Sequence, residues 1–255
     1  MNTTKVTDLS RTGEWVTERT GKYQATGLQE VDSALASRIS AMFTNAVSFG
    51  DRASESRFAS FLKRKPEDRV FSGKFDDVTQ ILKGIAQEKA GQKSKFDDAH
   101  LNGLALPVVN VSRTFDLSYE NVDEGKSYWE YNAWRDDAGM PLADLLTQYV
   151  TLNYDVMLIA AEKETLALMC NTLAAALFSL TEHTLIHSGY LFNSQIPMQS
   201  AVTTPKSVAF SDMTPLSNGR IFAASLMLTV NAQVASAWDL NARKSITRTD
   251  LALRS

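Results

Sequence analysis

A short inventory of residues in this chain could do chemistry by type and spacing. His183 and His187, in "EHTLIH", stand four apart, the spacing at which a helix turns two imidazoles toward one metal. On a strand the same pair shares a face but lies roughly 13 Å apart by rise alone. The segment sits at a helix-to-strand crossing with no third ligand nearby, so a metal site is not expected. His100, alone in a polar linker, reads as solvent-exposed. Cys170 falls on the apolar stripe of a helix, where a thiol behaves as a small hydrophobe; a nucleophile needs exposure and a lowered pKa. The acid pairs Asp76–Asp77, Asp97–Asp98 and Asp136–Asp137 lie in loops or at helix starts. Capping and solubility explain them there, whereas acid–base work needs a cleft that brings them together. No phosphate-cradling Gly-rich loop, nucleophile elbow or dinucleotide fingerprint occurs. The expectation is a non-enzyme with no cofactor and no metal.

Aromatic and basic residues carry the other signals. "YWEYNAW" places Tyr128, Trp129, Tyr131 and Trp134 in an otherwise polar segment, and Trp15 is the one large apolar group near the N-terminus. Exposed aromatics are common anchors at protein interfaces, so these five are the candidate subunit-interface residues. Flanked by Lys126 and Arg135, the cluster could instead stack bases, or simply cover a sheet edge; Trp15 could equally pack back on its own domain. Arg52, Arg57, Lys63, Arg64, Lys65, Arg69 and Lys74 come close together. Such a run is a solvated face or a contact for an acidic partner or nucleic acid.

The elements that must position these residues follow from periodicity. Residues 1–27 are polar, Thr-rich and aperiodic, and read as an arm. Residues 28–105 read as a helical extension and linker. Val31, Leu35, Ile39, Met42, Phe43 and Ala46 recur at three and four, with Gly50 as the stop. Phe58, Phe61 and Leu62 mark a second helix ended by Pro66, and Val78, Ile81, Leu82 and Ile85 a third. Residues 106–240 read as an α+β core domain. It holds a strand from Leu106 to Tyr119, a long aromatic excursion at 120–141 ending in a Pro141 turn, and "YVTLNYDVMLIA", which alternates strictly. A helix then carries Leu166, Met169, Cys170, Leu173 and Leu177 on one stripe, and "TLIHSGYLFNSQI", "QSAVTTPKSVAF" and "GRIFAASLMLTVNAQV" read as strands. Residues 241–255 form a tail. The expected fold class is α+β: a small, mostly antiparallel sheet with a helix packed on one face, preceded by a helical N-terminal extension.

Composition sets outer bounds. With 255 residues and 44% hydrophobic, the chain can bury one large core. A net charge of −3 supplies no overall drive toward nucleic acid or anionic membranes. A single cysteine excludes an intrachain disulfide and fits a reducing compartment. No run approaches the roughly 18 apolar residues of a membrane span, and the N-terminus lacks the apolar core of a secretion signal. A soluble, intracellularly made protein with no membrane partner is expected.

The block from Leu106 to Val234 resembles the tail-completion and neck proteins of tailed bacteriophages, including the tail terminators that cap the tube. The resemblance rests on an ordered pattern. An early strand carries an Arg-Thr pair, "VVNVSRTFDLSY"; the alternating strand with a central Tyr, "YVTLNYDVMLIA", runs into an amphipathic helix beginning at Glu162. A proline-containing strand, "SQIPMQ", follows, then Asp212, Arg220 and a final strand ending "LMLTV". It covers about half the chain. The family implies a ring of identical subunits, commonly a hexamer, that joins the tail tube or sheath to the head–tail connector, with no enzymatic activity and no cofactor. It also implies assembly in the host bacterial cytoplasm, residence in the virion, and no nucleic-acid contact beyond DNA passing through a ring lumen. The helical, basic first hundred residues depart from the pattern, so neck, terminator and baseplate stations stay open. A nucleic-acid-binding α+β module is the reading of a different class.

Overall fold

The computed structural model describes residues 22–73, 106–120, 132–135, 141–179, 184–192, 194–203, 206–213 and 221–239. Their strands are β1 (Tyr23–Ala25), β2 (Val70–Ser72), β3 (Val108–Glu120), β4 (Asn132–Arg135), β5 (Pro141–Ala160), β6 (Thr184–Leu191), β7 (Ser194–Val202), β8 (Ser211–Met213) and β9 (Phe222–Asp239). The helices are α1 (Gln29–Met42), α2 (Ala53–Leu62), α3 (Pro66–Arg69) and α4 (Lys163–Ser179). The fold is α+β with a mixed sheet in the order β2-β3-β5-β9-β7-β6. The β2–β3 pair is parallel and the other pairs are antiparallel.

The alternation in β5 and β9 dictates the centre of this sheet. Antiparallel pairing runs unbroken from Ala143↔Asp239 to Ala160↔Phe222. On one face Val150, Leu152, Tyr154, Val156 and Leu158 are fully buried, beside Leu226, Leu228 and Val230. Helix α4 covers that face with Leu166, Met169, Leu173 and Leu177, and Val31, Leu35 and Ile39 of α1, with Phe43 just past its end, join the same core. The opposite face is polar along Asn153, Asp155, Ser225 and Thr229, with Met227 exposed. A period of two produces this alternation over the middle of the ribbon; toward one end Met157 and Ile159, and toward the other Ala235 and Ala237, are buried on the second face as well.

Several expectations change in the structure. The sheet is not small: nine strands join it among the described residues, because both edges of the β5–β9 ribbon are occupied piecewise. Along β9, strands β8, β7 and β1 take successive stretches; along β5, strands β3 and β4 do the same. The helical segment before residue 105 is no separate layer in its described part. Strand β2 extends the sheet beyond β3, and α1 and α2 share the central core. Residues 23–25, within the expected arm, pair with β9 through Tyr23↔Trp238, Gln24↔Ala237 and Ala25↔Ser236. Pro141 opens β5 instead of closing a turn. Helix α1 stops at Met42, well before Gly50, where Thr44 Oγ1 donates back to the Ser40 carbonyl at 3.4 Å. A side chain that competes for helix carbonyls in this way favours termination. "TLIHSGYLFNSQI" is two strands folded at Phe192, whose φ of 46° is left-handed. Pro197 is accommodated because β7 meets β9 only at Ala201 and Val202. The expected helix at Val78–Ile85 and the tail at 241–255 lie outside the described residues.

One polar contact ties α1 to the sheet. The Tyr154 hydroxyl donates to Asp32 Oδ1 at 2.7 Å. Arg113 Nη1 lies 3.6 Å from the same oxygen, an ion-pair distance too long for a hydrogen bond.

Candidate functional site

Of the residues singled out for chemistry, the described ones are Cys170 on α4 and His187 on β6. Cys170 is half-buried, and burial pushes its thiol up to about 11 despite a backbone hydrogen bond that opposes the shift. His187 lies on β6, facing the core, with Nε2 2.7 Å from Ser200 Oγ. His183, His100 and the three acid pairs lie outside the described residues. Among the described residues no group of three or more His, Cys, Asp or Glu side chains could hold a metal ion. Trp15, Tyr128, Trp129 and Tyr131 also lie outside them. Trp134 sits in β4, opposite Ala143 of β5, so the aromatic excursion returns to the sheet as a hairpin strand.

The basic run is partly consumed by the fold. Arg57 pairs with Glu162 at 2.9 Å. Arg64 donates to the carbonyls of Pro107 and Leu106 at 2.8 and 3.0 Å and lies over the Phe61 ring. Arg69 is 3% exposed, donates to Thr44 Oγ1 at 3.3 Å, and is held below its ordinary pKa by burial. Lys63, Lys65 and Arg52 remain at the surface. A run that reads as one electrostatic face in sequence is therefore split between internal brackets and a few exposed charges.

The surface the structure does build lies at the two ends of the sheet. At one end β2 covers only Val109–Val111 of β3. Beyond them, and beyond an irregularity between Arg113 and Leu117, Leu117 and Tyr119 are 38% and 60% exposed. At the other end β6 pairs only with β7 among the described residues. Its alternation buries Leu185, His187 and Leu191 and leaves Ile186 77% and Tyr190 55% exposed.

Beside that free edge runs a groove of about 670 Å³ between β6 and α1. Ser33, Ala34 and Ser37 form a lining of small side chains on the helix, with Glu30 and Arg38 also facing the groove. The sequence folds this way because α1 turns its large apolar residues to the core, which leaves the small ones toward β6. His187 contributes to the lining although it is 7% exposed. Ser200 Oγ accepts the Gln233 N–H at 3.1 Å and lies 2.7 Å from His187 Nε2. His187 Nδ1 and Glu30 Oε2 are buried atoms with no hydrogen-bond partner among the described residues. Burial lowers the imidazole pKa and the Glu30 charge opposes that shift. The pairing looks like the start of a nucleophilic set, but Ser200 is 3% exposed and faces the core with its oxygen already engaged.

No signal in the sequence marked this groove. The alternation Thr184, Ile186, Ser188, Tyr190 and the small-residue side of α1 were its visible traces, and nothing local joins them. No protein-family model matches this chain, and no curated protein matches it.

Proposed function

We propose that the protein is a non-catalytic structural subunit of a tailed-phage virion. In this reading it forms a ring at the neck or head-proximal end of the tail and joins tail tube or sheath to the head–tail connector. The observation that carries the assembly part is the state of the sheet's two ends. At one, β6 has no strand partner but β7 among the described residues and holds Ile186 and Tyr190 in solvent; at the other, β2 covers β3 only over Val109–Val111 and leaves Leu117 and Tyr119 exposed beyond it. Uncovered edges pair with other chains, and a sheet whose two ends have no further partner among the described residues would join head to tail into a ring when the rotation closes. The phage assignment rests on the pattern resemblance of residues 106–234. The partners are copies of the same chain and neighbouring virion proteins, after assembly in the bacterial cytoplasm.

The test is an electron micrograph of purified full-length protein, repeated at low and moderate salt. Rings with a central lumen that persist in moderate salt support the reading. Isolated globules at every concentration, or particles formed only with nucleic acid and lost steeply as salt rises, contradict it.

A further inference from the structure

The groove between α1 and β6 combines features that single out one kind of occupant. Its wall on one side is an edge strand, whose outward N–H and C=O groups have no strand partner among the described residues. At ~3.3 Å per residue this edge is about 25 Å long. Its wall on the other side is the small-residue side of α1, where Ser33, Ala34 and Ser37 leave room for a backbone. The exposed side chains of Ile186 and Tyr190 form an apolar rim. A helix docked here would leave the edge groups of β6 unpaired. An added strand satisfies them and places alternate side chains against the rim.

We infer that this groove receives residues 1–21 of a neighbouring copy as an added β-strand. The inference rests on the assembly reading above. The position of the chain's entry supports this occupant. Gln24 Oε1 accepts the Phe192 N–H at 2.7 Å, and Thr26 packs where a side chain on Gly189 would stand. Residues 1–21 therefore enter the fold beside the far end of β6. Fully extended they reach about 70 Å at ~3.4 Å per residue, enough to cross to an adjacent subunit. Their composition suits an added strand: Thr3, Thr4, Val6, Thr7, Thr12, Val16, Thr17 and Thr20 are β-branched, and no proline occurs among them. Trp15 is a large apolar group within this segment that such a rim could take.

The test uses the full chain with Cys170→Ala as background. One preparation carries Val16→Cys, or a cysteine at Glu14, Trp15, Thr17 or Glu18 in turn; the other carries Ser37→Cys. After mixing and mild oxidation, a disulfide joining the two preparations, identified by the mass of the linked peptides, is the expected result. Edge pairing also protects alternate β6 amides from hydrogen exchange, and Ser37→Trp, which fills the groove, speeds exchange at those amides by about tenfold or more. The inference is overturned if no position links to Ser37→Cys in the mixture. It is equally overturned if a single chain carrying both cysteines links only within itself, or if the β6 amides exchange alike with and without Ser37→Trp. Rings without the link would remove this inference and leave the assembly reading standing. Protein that stays monomeric would remove both.

Discussion

Tyr154 is a large, fully buried side chain that also makes a polar contact between the sheet and α1. Its ring is fully buried between the sheet and α1, and its hydroxyl reaches Asp32 at 2.7 Å. Burial, reinforced by the Asp32 hydrogen bond and charge, holds the phenol neutral well above its ordinary pKa, with Arg113 opposing. The folded state therefore keeps a proton that the unfolded chain releases near pH 10. That contribution is whole below pH 10 and is lost as pH rises beyond it. Tyr154→Phe should cost about 1–2 kcal/mol at pH 7 through the lost hydrogen bond and flatten the decline above pH 10, both readable from urea unfolding across pH. Asp155, on the polar face, behaves in the same sense. Burial raises its pKa, a Ser225 hydrogen bond opposes the shift, and Oδ1 is buried without a partner among the described residues. Its contribution is present below the unfolded value near 3.9 and lost as pH rises through the higher folded value. Asp155→Asn should raise Tm at pH 7 and leave it nearly unchanged near pH 3; a fall at pH 7 would show that the charge itself is needed.

At the scale of elements, α1 and the β6–β7 hairpin are held by close fits. Leu35 is fully buried among residues of α1, the sheet and α4. Leu35→Ala should destabilise by about 2–5 kcal/mol in a single unfolding transition; two transitions would mean that α1 folds apart from the sheet. At Gly189 an added Cβ would meet Met198 Cε and Thr26 Cγ2. Gly189→Val should cost about 1–3 kcal/mol and speed amide exchange in Tyr23–Ala25 before it affects β5. The elements themselves were largely legible in sequence. The strict alternation of Val150–Leu158 and Phe222–Val230, and the stripe Leu166–Leu177, are local signals strong enough to fix strands and helix. Strand β1 is three residues long and shows no period, so its pairing with β9 was invisible. Pro141 reads as a turn from its type alone, and only the pairing of β5 with β4 and β9 shows it as the first residue of a strand.

Across the whole molecule, the features on which the proposed function rests were the least legible. Asp32 and Tyr154 are 122 positions apart, and α1 and β6 are separated by more still, so nothing local announces that they meet. The groove and the two sheet ends are products of strand order, which periodicity does not specify. The aromatic residues chosen from composition fall almost wholly outside the described residues, whereas the exposed Leu117, Tyr119, Ile186 and Tyr190 become conspicuous only once the edges are known. In the proposed reading, the edge of β6 and the part of β3 beyond β2, which have no further strand partner among the described residues, are completed by other copies of the chain. The most direct measurement of that claim is the native mass of the full chain, 28.1 kDa per copy, over a range of concentrations. A discrete closed multiple, with hexamers the expected species, is the predicted result; a single-copy mass at every concentration would contradict it.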